Sequence, residues 1–110
     1  FLSSLKLKMG AKTVRHTAVG TKKVSRIALC GGSGSFLLPQ AIAAGAEVFV
    51  SADFKYHEFF DAEGKIVIAD IGHYESEQFT KQLLAAVLSK KFTSFATTFS
   101  KTNTNPISYL

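Results

Sequence analysis

The sequence predicts a single α/β domain, a layered sheet with strand and helix alternating along the chain. Three observations carry this. Three short apolar segments end at Cys30, Ala52 and Ile71 and have the composition of buried strands. Each is followed by small or polar residues and then by a stretch with helical character. The chain has 110 residues, 46% of them hydrophobic and 19% charged, which suits one folded domain and excludes a disordered or collagen-like polymer.

The elements follow in order. Phe1, Leu2, Leu5 and Met9 have helical spacing, and Gly10 ends that helix. Lys12 to Ala18 alternates, with Val14, His16 and Ala18 on one side, as a half-buried strand does. Gly20 to Lys23 is a turn. Val24 to Cys30 is a second strand whose last four residues, from Ile27, are apolar. A loop, Gly31-Gly32-Ser33-Gly34-Ser35, leads into a helix over Phe36 to Ala44. Pro39 sits in its first turn and Gly45 caps its end. Glu47 to Ala52 is a buried strand, Phe54 to Ala62 a short helix stopped by Gly64, and Lys65 to Ile71 another buried strand. Phe79, Leu83, Leu84, Val87 and Leu88 mark an amphipathic helix within His73 to Lys91. Phe95 to Phe99 alternates as a last strand, and Asn103 to Leu110 is a turn-rich tail. The sheet is expected to be largely parallel, with the Lys12–Ala18 strand and the last strand antiparallel at its edges.

No apolar run approaches the roughly 20 residues of a membrane helix, so no membrane partner is expected. The single cysteine, Cys30, has no internal disulfide partner, which points to a reducing, cytoplasmic setting. The chain opens on Phe1 rather than Met and reads as a piece of a longer protein. The formal net charge is +5, yet all eight acids lie between Glu47 and Glu77. The basic flanks read as solvated lysine rather than a nucleic-acid surface, since no aromatic-interleaved basic motif accompanies them.

In open α/β sheets, ligands bind beyond the carboxyl ends of the strands. Three such ends carry chemistry here: Cys30 to Ser35, Ser51 to His57, and Asp70 to Glu77. In a parallel sheet all three converge on one edge. The glycine loop has neither a Gly-Lys-Ser/Thr ending nor a third spaced glycine. It reads first as a tight turn, and second as an anion cradle in which Gly32, Ser33 and Gly34 would touch substrate. His73 and Glu77 stand four apart, on one face of a helix that begins after Gly72. An imidazole and a carboxylate so spaced form half of a metal site, with Asp70 placed to orient His73 and Glu75 turned elsewhere, toward solvent or behind the ligands as a supporting group. Acids that merely complement a helix dipole, with His73 as a cap, fit the same spacing. Asp53 and His57 are also four apart. They read either as a proton-transfer pair or substrate contacts beside the metal, or as a capping Asp and a surface His.

Four segments taken together resemble one family. They are Cys-Gly-Gly-Ser-Gly-Ser-Phe (30–36), Ala-Asp-Phe-Lys-Tyr-His (52–57), Asp-Ile-Gly-His-Tyr-Glu-Ser-Glu (70–77) and Asn-Thr-Asn-Pro-Ile (103–107). In order and spacing they resemble the Nif-three-like family, also called GTP cyclohydrolase I type 2 homologues. One departure is Ala52, where family members commonly have Gly.

The resemblance implies that residues 24–110 form the C-terminal lobe of a two-lobed metalloprotein, preceded over residues 1–23 by a linker helix and an edge strand. It implies a dinuclear site of divalent ions (Zn, Mn, Fe, Co or Ni) between the lobes. His73 and Glu77 match the family's Gly-His-x3-Glu ligands, and the remaining ligands, a His-His pair among them, belong to an N-terminal lobe absent from this chain. Asp53 and His57 match residues lining the cleft. The implied activity is metal-dependent hydrolysis of a small molecule, such as opening of a purine nucleotide ring. The metals would activate water, Asp53 or His57 would handle a proton, and the glycine loop would contact an anionic substrate group. A homo-oligomer, hexameric in the family, is also implied. The isolated chain is then expected to be inactive. The alternative is a non-catalytic interaction or regulatory protein that keeps the metal site.

Overall fold

The computed structural model describes residues 1–21 and 23–110; part of the turn expected at Gly20 to Lys23 therefore lies outside the described residues. The chain divides into two compact units, Phe1–Ser76 and Glu77–Leu110.

The first unit is the α/β domain. It opens with helix α1 (Leu2–Lys8) and a two-residue strand β1 (Arg15–His16). Then come β2 (Ile27–Ser33), helix α2 (Leu38–Ala43), β3 (Val48–Ala52) and β4 (Val67–Asp70). Helix α3 (His73–Glu77) carries the boundary between the units. The sheet order is β1-β4-β3-β2. β2, β3 and β4 run parallel, and β1 lies antiparallel on β4 with Arg15 opposite Asp70. The parallel sheet with an antiparallel first edge agrees with the sequence expectation.

The core lies on both faces of this sheet. Successive residues of β3 point to opposite sides, as strand geometry requires. Phe49 joins Leu38, Ala41, Phe54 and Ile68 on one side. Val48 and Val50 join Ala69 and Ile71 on the other, where Leu2, Leu5 and Met9 of α1 cover them. Residues 1–16 are thus part of the domain, through both packing and strand pairing. α2 ends in Gly45 at φ +70°, with Ala46 N–H donating to the Ala41 carbonyl and Gly45 N–H to that of Ile42, a glycine stop of the expected kind.

Several expectations need correction. β2 begins three residues later than expected and runs through Cys30, Gly31 and Gly32 to Ser33, so most of the glycine loop is strand. Its register slips between Leu29 and Ser33, where Gly32 at φ +65° lets the chain bulge. Nor is β2 buried on both faces: Leu29 is 75% exposed, because β2 is an edge strand and α1 covers β3 and β4 instead. A 3-10 turn (Ser35–Leu37) precedes α2, and the helix expected after Phe54 is a 3-10 helix (Tyr56–Ala62). Glu63 at φ +47° and Gly64 at φ +69° stop it.

The single helix expected over His73 to Lys91 is two. α3 is separated by residues 78 and 79 from α4 (Thr80–Lys91), which belongs to the second unit. α4 buries none of its residues within the described chain; Leu83, Leu84, Val87 and Leu88 are all exposed. The strand expected at Phe95 to Phe99 is also absent among the described residues. Phe95 N–H closes a turn onto Phe92 instead, and both Phe95 and Phe99 are exposed. Alternation alone makes no strand where no neighbouring edge supplies hydrogen bonds. No described helix is long and apolar enough to cross a membrane.

Candidate functional site

The carboxyl ends of β2, β3 and β4 finish side by side, with Ser33 opposite Ala52 and Ser51 opposite Asp70. The segments after them interlock through hydrogen bonds. Ser51 Oγ–H donates to the Gly32 carbonyl at 3.0 Å, and Gly32 N–H donates to Ser76 Oγ at 2.8 Å. The three loops do converge, as the strand order predicts.

Asp70, at the tip of β4, is buried. Its Oδ2 accepts from the Arg15 guanidinium and, at 3.0 Å, from Phe54 N–H; its Oδ1 accepts from Gly72 N–H at 3.0 Å. Arg15 also donates to the Phe54 carbonyl at 2.8 Å. Asp70 therefore ties together β1, the loop after β3 and the turn before α3. It does not orient His73, as the sequence suggested, because its carboxylate is already engaged by three donors. Gly72, at φ +92°, makes the sharp turn into α3.

Asp53 is a carboxylate that does meet His73. Its Oδ2 lies 2.6 Å from Nδ1 of His73, and both side chains are about half exposed. Asp53 is held at φ +60°, in the left-handed region that Asp tolerates better than most side chains. Ala52, the departure from the family pattern, is fully buried in β3 and has no positive φ, so its methyl group is accommodated. The unusual backbone angle falls one residue later, on Asp53.

His57 is exposed in the first turn of the 3-10 helix, its ring edge-on to Tyr56 at 5.2 Å. The carboxylate of Asp53 turns to His73 rather than to His57. Nor does Asp53 cap this helix; Lys55 occupies that position, with its N–H donating to Glu58 at 2.7 Å. Gly32 and Gly34 are buried. A Cβ on Gly34 would sit 2.4 Å from Ser51 Oγ and 2.8 Å from Cys30 Sγ, so this glycine serves close packing. Ser33 is the exposed member of the trio.

His73 and Glu77 are the first and last residues of α3, a spacing that places them on one helical face. Glu75, expected either in solvent or behind the ligands, is 5% exposed and so does not lie in solvent. Among the described residues no group of three His, Cys, Asp or Glu side chains is assembled to hold a metal ion. A His and a Glu suit a borderline divalent ion, and a carboxylate on the far nitrogen of the His is the usual companion of a ligating imidazole. The donor types present would suit such an ion only in part, and a complete site would need further ligands.

Sequence reasoning missed Arg15, Ser51 and Ser76, whose partners are 55, 19 and 44 residues away and become visible only with strand register. It also missed an open cleft of about 420 Å³ between β1 and the rings of Tyr56, Phe59 and Phe60. Neither Asp53 nor His73 lines it.

The chain is similar to proteins of known sequence and structure along nearly its whole length. It is 37% identical to a GTP cyclohydrolase 1 type 2 homolog of Campylobacter jejuni, over 96% of this chain and 42% of that protein. It is 35% identical to a protein of the same name from Staphylococcus aureus, over 100% of this chain and 31% of that one. Among solved structures, Staphylococcus aureus protein SA1388 superimposes with a TM-score of 0.83 at 32% identity, over 99% of this chain and 37% of that one. A Bacillus cereus protein related to NIF3 superimposes with a TM-score of 0.78 at 26% identity, over 99% of this chain and 31% of that one. The chain thus spans well under half the length of these relatives. The model of the Duf34/NIF3 (NGG1p interacting factor 3) family matches residues 1–106, and the chain belongs to that family.

Proposed function

We propose that this chain is one lobe of a metal-dependent hydrolase, supplying His73 and Glu77 to a dinuclear site that ligands from the rest of the protein complete. The observation that carries the reading is the His73–Asp53 contact at 2.6 Å, on the sheet edge where three loops converge. A carboxylate on Nδ1 leaves Nε2 as the nitrogen that would face a metal. Glu77, one turn along α3, would supply an oxygen. Bound divalent ions would supply Lewis acidity and a water acidic enough to act as a nucleophile near neutral pH.

The remaining roles follow from position. His57, exposed in the first turn of the 3-10 helix, would carry a proton. Ser33, exposed at the end of β2, would meet an anionic part of a substrate. The substrate class that the relatives' name points to is a purine nucleotide such as GTP. The missing lobe is the first partner, and a homo-oligomer would enclose the finished cleft.

The family description as an interacting factor supports a second reading, a regulatory protein that retains the metals without turnover. The test is metal content of the full-length protein with His73→Ala and Glu77→Gln, alongside hydrolysis of GTP. Loss of metal in both variants supports the site, and unchanged content refutes it. A metal-loaded protein that hydrolyses no nucleotide favours the second reading.

A further inference from the structure

We infer that Asp53 is a positioning residue: its carboxylate fixes the proton of His73 on Nδ1, and the left-handed backbone at Asp53 is what delivers it. This inference rests on the metal reading above for its functional meaning, but not for its geometry. A carboxylate accepts, so a 2.6 Å contact to Nδ1 places the imidazole proton there. Free imidazole side chains have a choice of tautomer, and a fixed acceptor removes it. The ring orientation is fixed by the same contact.

The backbone supports this assignment. Asp53 follows β3 directly and takes φ +60°, which glycine would adopt without steric cost. A residue that served only to turn the chain would be best as Gly. An Asp there accepts a backbone penalty, and its side chain makes a contact to His73 of α3 that Gly could not make. The turn is locked from below: Phe54 N–H, the next amide, is held by buried Asp70, which also holds Gly72 N–H one residue before His73. Asp70 thus sets both ends of the Asp53–His73 contact.

The experiment uses the full-length protein with Asp53→Gly, Asp53→Asn and His73→Ala. Two quantities are read. One is the His73 tautomer in metal-free protein, from ¹⁵N chemical shifts. The other is the dissociation constant for Zn²⁺ by chelator competition. In the unaltered protein neutral His73 carries its proton on Nδ1. Asp53→Gly should release the tautomer and weaken metal binding by about 10- to 100-fold, with no loss of thermal stability because Gly suits the turn. Asp53→Asn still presents an accepting oxygen, so it should keep the Nδ1 proton and lose less affinity than Gly. The inference is overturned if Asp53→Gly keeps both the tautomer and the affinity. Equal loss in the two variants with an unchanged tautomer overturns it too, because charge alone would then be at work. Should His73→Ala retain full metal, the metal reading fails, while the tautomer measurement still decides the role of Asp53.

Discussion

Arg15 on the edge strand reaches across to the buried carboxylate of Asp70, and that carboxylate holds two backbone amides of the candidate site. Asp70 is almost wholly enclosed, whereas the Arg15 side chain is about half exposed, so the two partners are not equivalent. Replacing Asp70 by Ala strips acceptors from Phe54 N–H and Gly72 N–H and removes the carboxylate that Arg15 pairs with. The expected loss is about 2–4 kcal/mol in urea unfolding. Arg15→Ala leaves the two amide bonds in place and lets water approach the carboxylate, so about 1–2 kcal/mol is expected. A larger loss for Arg15→Ala than for Asp70→Ala would show that the amides do not depend on Asp70.

Gly34 has an ordinary φ of −130°, so any penalty for a side chain there is steric rather than conformational. A methyl group would fall 2.4 Å from Ser51 Oγ and 2.8 Å from both Cβ and Sγ of Cys30. Gly34→Ala is expected to destabilise the fold by about 1–3 kcal/mol. Ser51→Ala removes the closest of those atoms, so the double variant should recover part of the loss as a favourable coupling in chemical denaturation. Gly20, which has nothing within 4 Å and no positive φ, is the control; Ala there should be neutral or slightly stabilising.

The fold was legible where local pattern and burial coincide. Val48-Phe49-Val50 and Ile66 to Ala69 are apolar because both sheet faces cover them, and the sequence marks them as buried strands on that ground. Ile27 to Cys30 has the same composition, yet Leu29 faces outward, because an edge position is a fact about neighbours and not about residues. The same limit explains Phe95 to Phe99, whose alternation finds no pairing edge among the described residues. In the site, the positions of His73, Glu77 and Asp53 were legible from their place after apolar strands. Which carboxylate meets His73 was not. Asp70 is three residues away in sequence and Asp53 twenty, but Asp70 is consumed by Arg15 across a register that sequence alone does not give.

Glu47 is a carboxylate with an acid-side signature that rests on backbone donors. Its Oε2 accepts Ser25 N–H at 2.5 Å, Arg26 N–H at 3.0 Å and the Ser25 hydroxyl at 3.0 Å. The backbone N–H of Ser25, with that of Arg26 and the Ser25 hydroxyl, holds the Glu47 carboxyl below the ordinary glutamate range. A depressed folded-state value contributes stability that is present above the unfolded value and is lost as pH falls through the folded one. The contribution should therefore fade in the acid window that begins at the ordinary glutamate value and extends below it. Urea midpoints followed over that window should fall less steeply for Glu47→Gln than for the unaltered chain. Parallel slopes would mean that Glu47 is no better solvated by these donors than by water.

A split metal site makes a prediction about the chain taken alone. His73 and Glu77 are two donors on a five-residue helix. Among the described residues no group of three donors assembles. Structural and catalytic sites of borderline divalent ions need three or more protein ligands to hold the ion firmly. Two leave most of the coordination sphere to water, with rapid exchange. After dialysis against buffer free of added metal, the 110-residue chain should retain far less than one ion per molecule, whereas the full-length protein should retain close to two. Elemental analysis of both samples reads this directly. Firm, stoichiometric metal in the short chain would mean that a complete site lies within it, and that the ligands assigned to the other lobe are not required.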